Sequence, residues 1–290
     1  KRAAAALAAQ ADVLIEAFRP GVAARIGLGP ENAKPDAVCL SISGFGQSGP
    51  YAERPCTDSV AQAFSGFVSL NEGADGAPHK AGAFIADMAT GIYAFSAVQV
   101  ALAARAQDST PQRRVIDMSL MAATSNLLTH QIGEWGVQGK SAAPPNAPAG
   151  AYRAADGGWV MITLVREAEW PKLCGALGLA DIAADPRFLN FDLRWQNREA
   201  LYAIIRAAFL KKPVAEWVAI LQGERLLADR VNTPLDWLSN EHVTAYGAAA
   251  RIPQPQLGAV PLPMLPGLGH WMAEAPALGQ HTNEVLAELR

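Results

Sequence analysis

The chain has 290 residues, half of them apolar and 18% charged, with a formal net charge of -3. That composition excludes a disordered chain and gives no basic footprint for nucleic acid or an anionic membrane surface. The length allows one large domain or two ordinary ones, each with its own core.

In chain order, Ala3 to Ala9 follows two basic residues but runs into Gln10-Ala11-Asp12 without a cleavage-type boundary. It reads as the end of a helix whose beginning precedes this chain. Val13-Leu14-Ile15 is an apolar run suited to a buried parallel strand. Phe18-Arg19-Pro20-Gly21 turns into a second helical stretch, which Gly27-Leu28-Gly29-Pro30 stops. Ala37 to Ser43 is the next strand, leaving through Gly44-Phe45-Gly46-Gln47-Ser48-Gly49-Pro50. Asp58 to Leu70 reads as a helix capped by Asp58 or Ser59. A long helix starts near Asp87, and its stretch Ile92 to Leu102 is apolar on almost every face, as in a core helix. Val115 to Leu120 is a strand or a strand-to-helix passage. These elements predict an α/β fold: an open, mostly parallel, Rossmann-like sheet with helices on both faces and ligands at the carboxyl ends of its strands.

Ser141-Ala142-Ala143-Pro144-Pro145-Asn146-Ala147-Pro148 is the clearest linker. Beyond it, Gly150-Ala151-Tyr152-Arg153 and Trp159 to Thr163 flank Asp156-Gly157-Gly158, a hairpin signal. Amphipathic stretches near 167–178, 197–210 and 213–222 complete a small α+β domain. Prolines 253, 255, 261, 263 and 266 space an extended return segment, and His281 to Arg290 forms a last short helix. The expected domains are therefore 1–140, 141–232, and 233–290 returning over the first.

No run offers the roughly 18 apolar residues of a membrane span. Cys39, Cys56 and Cys174 lack disulfide or metal spacing, which suits a reducing cytoplasm. His79, His130, His242, His270 and His281 form no ligand pair on one helix face, so no metal site is expected. The glycine-rich loop at Gly44 fails both the P-loop and the dinucleotide fingerprints, and no Gly-x-Ser-x-Gly elbow is present. Asp117 reads as a hydrogen-bond partner and His79 as a solvated loop residue.

Asp87 carries the most information. It is a lone acid among Ala83, Phe84, Ile85, Ala86, Met88 and Ala89, and burying such a group needs a partner or a chemical use. Standing at a helix start, it has its anion favoured by the positive end of the helix dipole. Arg19 and Arg25 bracket a Pro-Gly helix start, a natural place for phosphate. Asp58 reads either as an N-cap or as part of a site.

Several segments together resemble the family III CoA-transferases, the CaiB/BaiF family. They are Ala11-Asp12-Val13-Leu14-Ile15-Glu16-Ala17-Phe18-Arg19-Pro20-Gly21, Ser41 to Tyr51, Val60 to Gly66, Ile85 to Gly91 and Leu278 to Leu286. The resemblance implies transfer of coenzyme A from an acyl-CoA to a free carboxylic acid, with CoA as substrate and not as a resident cofactor. It implies Asp87 as nucleophile, working through an acyl anhydride and an aspartyl-CoA thioester in a dry site. Backbone N–H groups at the helix start are expected to steady the tetrahedral oxyanion. By position, Phe18 and Arg25 are expected at the CoA adenine and phosphates, with Arg19 in the same turn, and Thr57 and Asp58 at the acyl pocket; the loop at Gly44 and Phe45 reads either as a plain turn or as substrate lining. Trp135, Tyr152 and Trp170 read equally as pocket lining or as core. The family's subunits form an interlocked homodimer. Relatives carry a preceding segment with the first strand and helix, and a longer tail. Ala17 stands for a frequent Asn, Ser109-Thr110-Pro111-Gln112 for a glycine-rich turn, and the glycine-rich lid of formate- and oxalate-active relatives has no counterpart. The competing readings are a racemase, whose acid/base histidine would fall at Thr57, and a non-catalytic CoA-binding subunit.

Overall fold

The computed structural model describes residues 2–73, 76–139, 146–267 and 273–289. Most of the expected linker (141–145) and His270 lie outside the described residues. The chain divides into two compact units, Lys1–Ala142 with Leu278–Arg290, and Ala143–Ala277.

The first unit runs α1 (Arg2–Gln10), β1 (Val13–Glu16), α2 (Val22–Ile26), β2 (Val38–Ser43), α3 (Asp58–Phe64), α4 (Ile85–Arg105), β3 (Arg114–Ser119), α5 (Leu120–Asn126) and α6 (Thr129–Gln138). The three strands form one parallel sheet in the order β1-β2-β3, with Val13 opposite Val38 and Val38 opposite Arg114. Side chains alternate across it. Val38, Leu40 and Ile42 turn to one face, where Ala94, Val98 and Ala101 of α4 pack on them, and Leu14 and Cys39 turn to the other, against Ala33 and Ala37. The small residues of α4 let the helix lie close to the central strand.

On the second face Leu14 and Cys39 pack against Ala33 and Ala37, and Val115 is exposed. Several expectations change in this unit. The helix α4 was expected to be buried, but it buries one side only. Phe84, Met88, Ile92, Phe95 and Val100 are all exposed. An all-apolar sequence does not say which face is covered. By length and composition alone α4, with 21 residues, would also pass for a membrane span, contrary to the sequence reading. Its buried face nevertheless packs on the strands. The helix expected over Asp58 to Leu70 stops at Phe64, because Gly66 turns the chain at φ +90° before a short 3-10 turn at Val68–Leu70.

The second unit begins with the hairpin β4 (Gly150–Arg153) and β5 (Trp159–Thr163), turned at Gly157 with φ +82°. Then come α7 (Trp170–Leu177), α8 (Ala180–Ala183), α9 (Phe191–Gln196), α10 (Arg198–Phe209), α11 (Val214–Gly223) and β6 (Leu227–Arg230), which pairs antiparallel with β5. Tyr152 and Trp170 lie in the core of this unit with Phe209 and Trp217, so the core reading of those two holds; Trp135 of α6 is exposed. Arg194 is fully buried and donates to the Ala147 and Phe188 carbonyls and to Glu167.

The proline-spaced stretch is a second hairpin, β7 (Ala249–Gln254) and β8 (Gly258–Pro263), preceded by α12 (Pro234–Leu238) and α13 (Glu241–Tyr246). Met264 N donates to Ala248 O, which sets the parity of the ladder. Pro253, Pro261 and Pro263 then occupy alternate positions whose nitrogens point away from the partner strand, where proline costs no ladder bond. Residues 233–277, expected on the first domain, therefore group with the second unit. Only 278–290, with α14 (Thr282–Glu288), belong to the first.

Candidate active site

Helix α4 fixes the height of Asp87. At its far end Arg105 donates to Asp12 at 3.1 Å and to the Asp36 carbonyl at 3.4 Å, just before β1 and β2 begin. Lys34 joins the same Asp12. Eighteen residues of helix separate Arg105 from Asp87, about 27 Å of rise. The six residues of β2 span only about 20 Å. Asp87 thus stands at, or just past, the carboxyl edge of the parallel sheet, where the glycine-rich loop leaves β2.

The start of α4 is closed by another helix. Phe84 supplies no side-chain cap. Instead, the buried Asp58 carboxylate of α3 accepts from Ala86 N at 2.8 Å and Asp87 N at 3.3 Å. Ile85 N and Met88 N donate to the Ala83 and Phe84 carbonyls. All four first-turn N–H groups are therefore engaged, and they do not form the oxyanion site expected of them. Asp58 is a cap, as one reading held, but for α4 and not for its own helix, whose N-cap is Thr57.

Gln62, fully buried one turn after Asp58, was missed by the sequence reading. Its Nε2 donates to Asp58 at 2.6 Å and, more loosely, to the Ala83 carbonyl, while its Oε1 accepts from Ala81 N at 2.9 Å. It thereby holds the strand of chain that leads into α4. The signal was present as an Asp-x-x-x-Gln pair on one face of an otherwise apolar helix.

Asp87 itself is exposed, which corrects the expectation of a buried carboxylate. Its oxygens accept no hydrogen bond and join no ion pair among the described residues. Partial desolvation by its neighbours, and then the negative Asp58, hold its carboxyl above the usual aspartate range. Cys56 lies close enough for the Asp87 charge to help burial push its thiol up. The Cys56 Sγ donates to the Thr57 carbonyl, and Thr57 is exposed.

Cys56 packs directly on Gly44. A Cβ on Gly44 would stand 2.2 Å from Cys56 Cβ, so glycine is required for this approach. Phe45 is buried and packs edge-on against Tyr51 and Phe64, with the Arg54 guanidinium 5.7 Å from the Phe45 ring and 5.2 Å from that of Tyr51. Asp117 accepts from Gln47 N at 2.8 Å, tying this loop to β3 as the hydrogen-bond reading anticipated. Gly44, Phe45, Cys56, Thr57, Asp58 and Asp87 therefore form one neighbourhood. His79 is exposed on its loop.

Phe18, Arg19 and Arg25 form a second group at the carboxyl end of β1, all exposed. Phe18 N donates to Glu16, and the Arg25 Nη1 lies 3.5 Å from the place a Gly21 Cβ would take. Gly21 (φ +77°) and Gly27 (φ +82°) bracket a helix of five residues, so Arg25 falls in its last turn and not at its start. Neither arginine has an ion-pair partner among the described residues. Glu16 is opposite Ser41 in the sheet, so this group shares the carboxyl edge with the Gly44 loop.

A groove of about 660 Å³ between α4, β3 and α5 is lined by Tyr93, Val100, Ile116, Met118, Ala122 and Asn126 among others, and none of the expected site residues borders it. No three His, Cys, Asp or Glu side chains gather as metal ligands among the described residues.

Comparison with known proteins places these features in context. The chain is 30% identical over 299 residues to an acyl-CoA transferase of Fusarium pseudograminearum, covering 96% of this chain and 64% of that protein. It is 30% identical over 301 residues to the succinyl-CoA:glutarate CoA-transferase of Mus musculus, covering 98% and 67%. It thus spans about two thirds of the length of these relatives. A crystal structure of a CaiB/BaiF family protein from Brucella suis superposes with a TM-score of 0.86 at 31% identity, over 100% of this chain and 78% of that one. Residues 1–282 match the CoA-transferase family III, and the chain belongs to that family.

Proposed function

We propose that this protein transfers coenzyme A from an acyl-CoA thioester to a free carboxylic acid, with Asp87 as the nucleophile. The observation that carries the reading is an unpaired carboxylate at the carboxyl edge of the sheet, beside the glycine-rich loop, in a chain of this family. Desolvation and the neighbouring Asp58 charge raise the proton affinity of this carboxylate, and a more basic carboxylate is a better nucleophile.

The exchange balances without protons. An Asp87 oxygen attacks the thioester carbon, the C–S bond breaks, and CoA thiolate leaves behind an acyl-aspartyl anhydride. The thiolate attacks the aspartyl carbonyl carbon and expels the donor acid, giving an aspartyl-CoA thioester. The acceptor carboxylate attacks that thioester, releasing the thiolate and forming a second anhydride. The thiolate then takes the acceptor's acyl group and frees Asp87. The unpaired Arg19 and Arg25 suit the CoA phosphates, and Phe18 suits the adenine. The mouse relative's name makes succinyl-CoA and glutarate the first pair to try.

An exposed Asp87 needs a cover to keep water from the anhydride. The apolar face of α4 beside it, through Phe84, Met88, Ile92 and Phe95, suits a second copy of the chain, and we read the active form as a homodimer. The three free cysteines suit a reducing cytoplasm.

Incubating the chain with succinyl-CoA should leave a covalent adduct on Asp87, seen by intact mass. Borohydride should reduce the aspartyl thioester to a homoserine side chain at position 87, and Asp87→Asn should abolish both signals. Deuterium entering the acyl α-carbon from heavy water would favour the racemase, although Thr57 has no imidazole to move that proton. CoA retained without exchange would favour a binding subunit. An Asp87→Asn chain that exchanges CoA at the parent rate refutes the nucleophile.

A further inference from the structure

We propose that Asp58 and Gln62 are the positioning residues of this site, a two-part clamp that sets where Asp87 stands without touching substrate. The proposal rests on Asp87 being the nucleophile. Its basis is a complete hydrogen-bond account of two buried polar side chains. Asp58 Oδ2 receives Ala86 N and Asp87 N, its Oδ1 receives Gln62 Nε2, and Gln62 Oε1 receives Ala81 N. Asp58 is 6% exposed and Gln62 0%. A buried carboxylate is costly unless its oxygens are filled, and here every filling donor belongs to the start of α4 or to the partner that holds its lead-in. The lead-in at Ala81 and Ala83 and the first turn at Ala86 and Asp87 are thus pinned to a single turn of α3. The Asp87 carboxylate has no partner among the described residues, so fixing its backbone N–H fixes the base from which that carboxylate reaches.

The two side chains are also complementary in a way that can be exchanged. Asp58→Asn puts an N–H where Oδ1 met Gln62 Nε2, so two donors face each other. Gln62→Glu replaces that donor with an acceptor and keeps an oxygen for Ala81 N. The pair Asp58→Asn with Gln62→Glu restores the hydrogen bond and the net charge.

The experiment uses the full chain with succinyl-CoA and reads three quantities: the single-turnover rate of adduct formation on Asp87, the KM for acyl-CoA, and hydrogen exchange at the Ala86 and Asp87 amides. Misplacing a reacting group by about 1 Å can cost on the order of a hundredfold in rate. Asp58→Ala and Gln62→Ala are expected to slow the adduct by about tenfold or more. KM should stay unchanged, and the two amides should lose protection while Val98 to Ala101 keep theirs. Asp58→Asn should be slow, and the double exchange should recover most of the rate. Where Asp58→Ala fails to fold, as a thermal melt would reveal, Gln62→Ala and the exchanged pair carry the test. Parent-like adduct rates in the alanine variants overturn the clamp. So does a KM that rises as kcat holds, which makes Asp58 a substrate contact, and so does a double exchange no faster than Asp58→Asn. A parent chain that forms no adduct refutes the nucleophile and removes the clamp's purpose. The amide exchange, which needs no chemistry, still reports whether Asp58 caps α4.

Discussion

Replacing Gly44 by alanine tests how the glycine-rich loop is joined to the Asp87 site. The added Cβ would meet Cys56 Cβ at 2.2 Å, Cys56 Sγ at 3.2 Å and Cys56 Cα at 3.5 Å. Carbon atoms ordinarily touch at about 3.5–4.0 Å, so the first contact overlaps by well over 1 Å and cannot be relieved by rotating Cys56. The backbone of Gly44 lies outside the left-handed region, so alanine brings no conformational penalty and the overlap acts alone. Something must shift, and the nearest backbone leads through Thr57 straight into Asp58. Overpacking of this kind costs about 1–3 kcal/mol. For a chain of this size that is a fall of about 2–4 °C in Tm per kcal/mol. The assay is thermal unfolding of Gly44→Ala, Cys56→Gly and the double variant, with the Asp87 adduct rate measured beside it. With Cys56 cut back to glycine, the closest remaining contact is the 3.5 Å approach to Cα, an ordinary one. Gly44→Ala should therefore cost little in the Cys56→Gly background. An equal cost in both backgrounds, or none in either, refutes the account.

Other outcomes follow from single side chains. Because the folded protein holds the Asp87 proton more tightly than an unfolded chain does, ionising Asp87 costs stability; that cost is complete above its folded pKa and absent below the ordinary 3.8. Asp87→Asn should thus melt higher than the parent at neutral pH, with the gap closing as the pH falls toward 3.8, and a lower Tm at neutral pH would contradict this. Alkylation of the native chain should label Cys56 before Cys39 and Cys174, which are 2% and 1% exposed, with the Cys174 thiol pushed up to about 12 by burial. Peptide mapping that finds Cys174 labelled first would refute it. Arg194→Met should destabilise the second unit by about 2–6 kcal/mol in urea titrations, since it leaves the Ala147 and Phe188 carbonyls unfilled at about 1–3 kcal/mol each, and Arg194→Lys should not rescue it because no single ammonium reaches the separated acceptors.

The strands β1 and β2 were legible because short apolar runs between Asp and Gly admit few other structures. Gly21 and Gly27 marked the ends of α2 for the same reason, as both adopt positive φ. Asp87 stood out by contrast with its neighbours. Three things were not legible. The first was which face of α4 is covered, because an alanine-rich helix with large apolar residues all round has no preferred side until a sheet selects the small ones. The second was the partner of Asp58: a cap is read against its own helix, and here it serves one that begins 27 residues later. The third was β7 and β8, where alternate prolines suggested an irregular path although their spacing of two left the ladder intact. Arg54 and Cys56 carried no local pattern, and only the fold brings them to Phe45 and Gly44.

Helix α4 is moored at both ends, by Asp58 at its first turn and by Asp12 and Asp36 at its last. A strut held in this way has a fixed length. One residue inserted between the moorings would swing one end by about 100° relative to the other and lengthen the span by about 1.5 Å, so that either the Arg105 anchorage or the Asp58 cap must let go. Insertions and deletions are therefore tolerable in the loops on either side and not within this span, and loosening Arg105 at the amino edge should be felt at the opposite rim, where the Asp87 carboxylate sits.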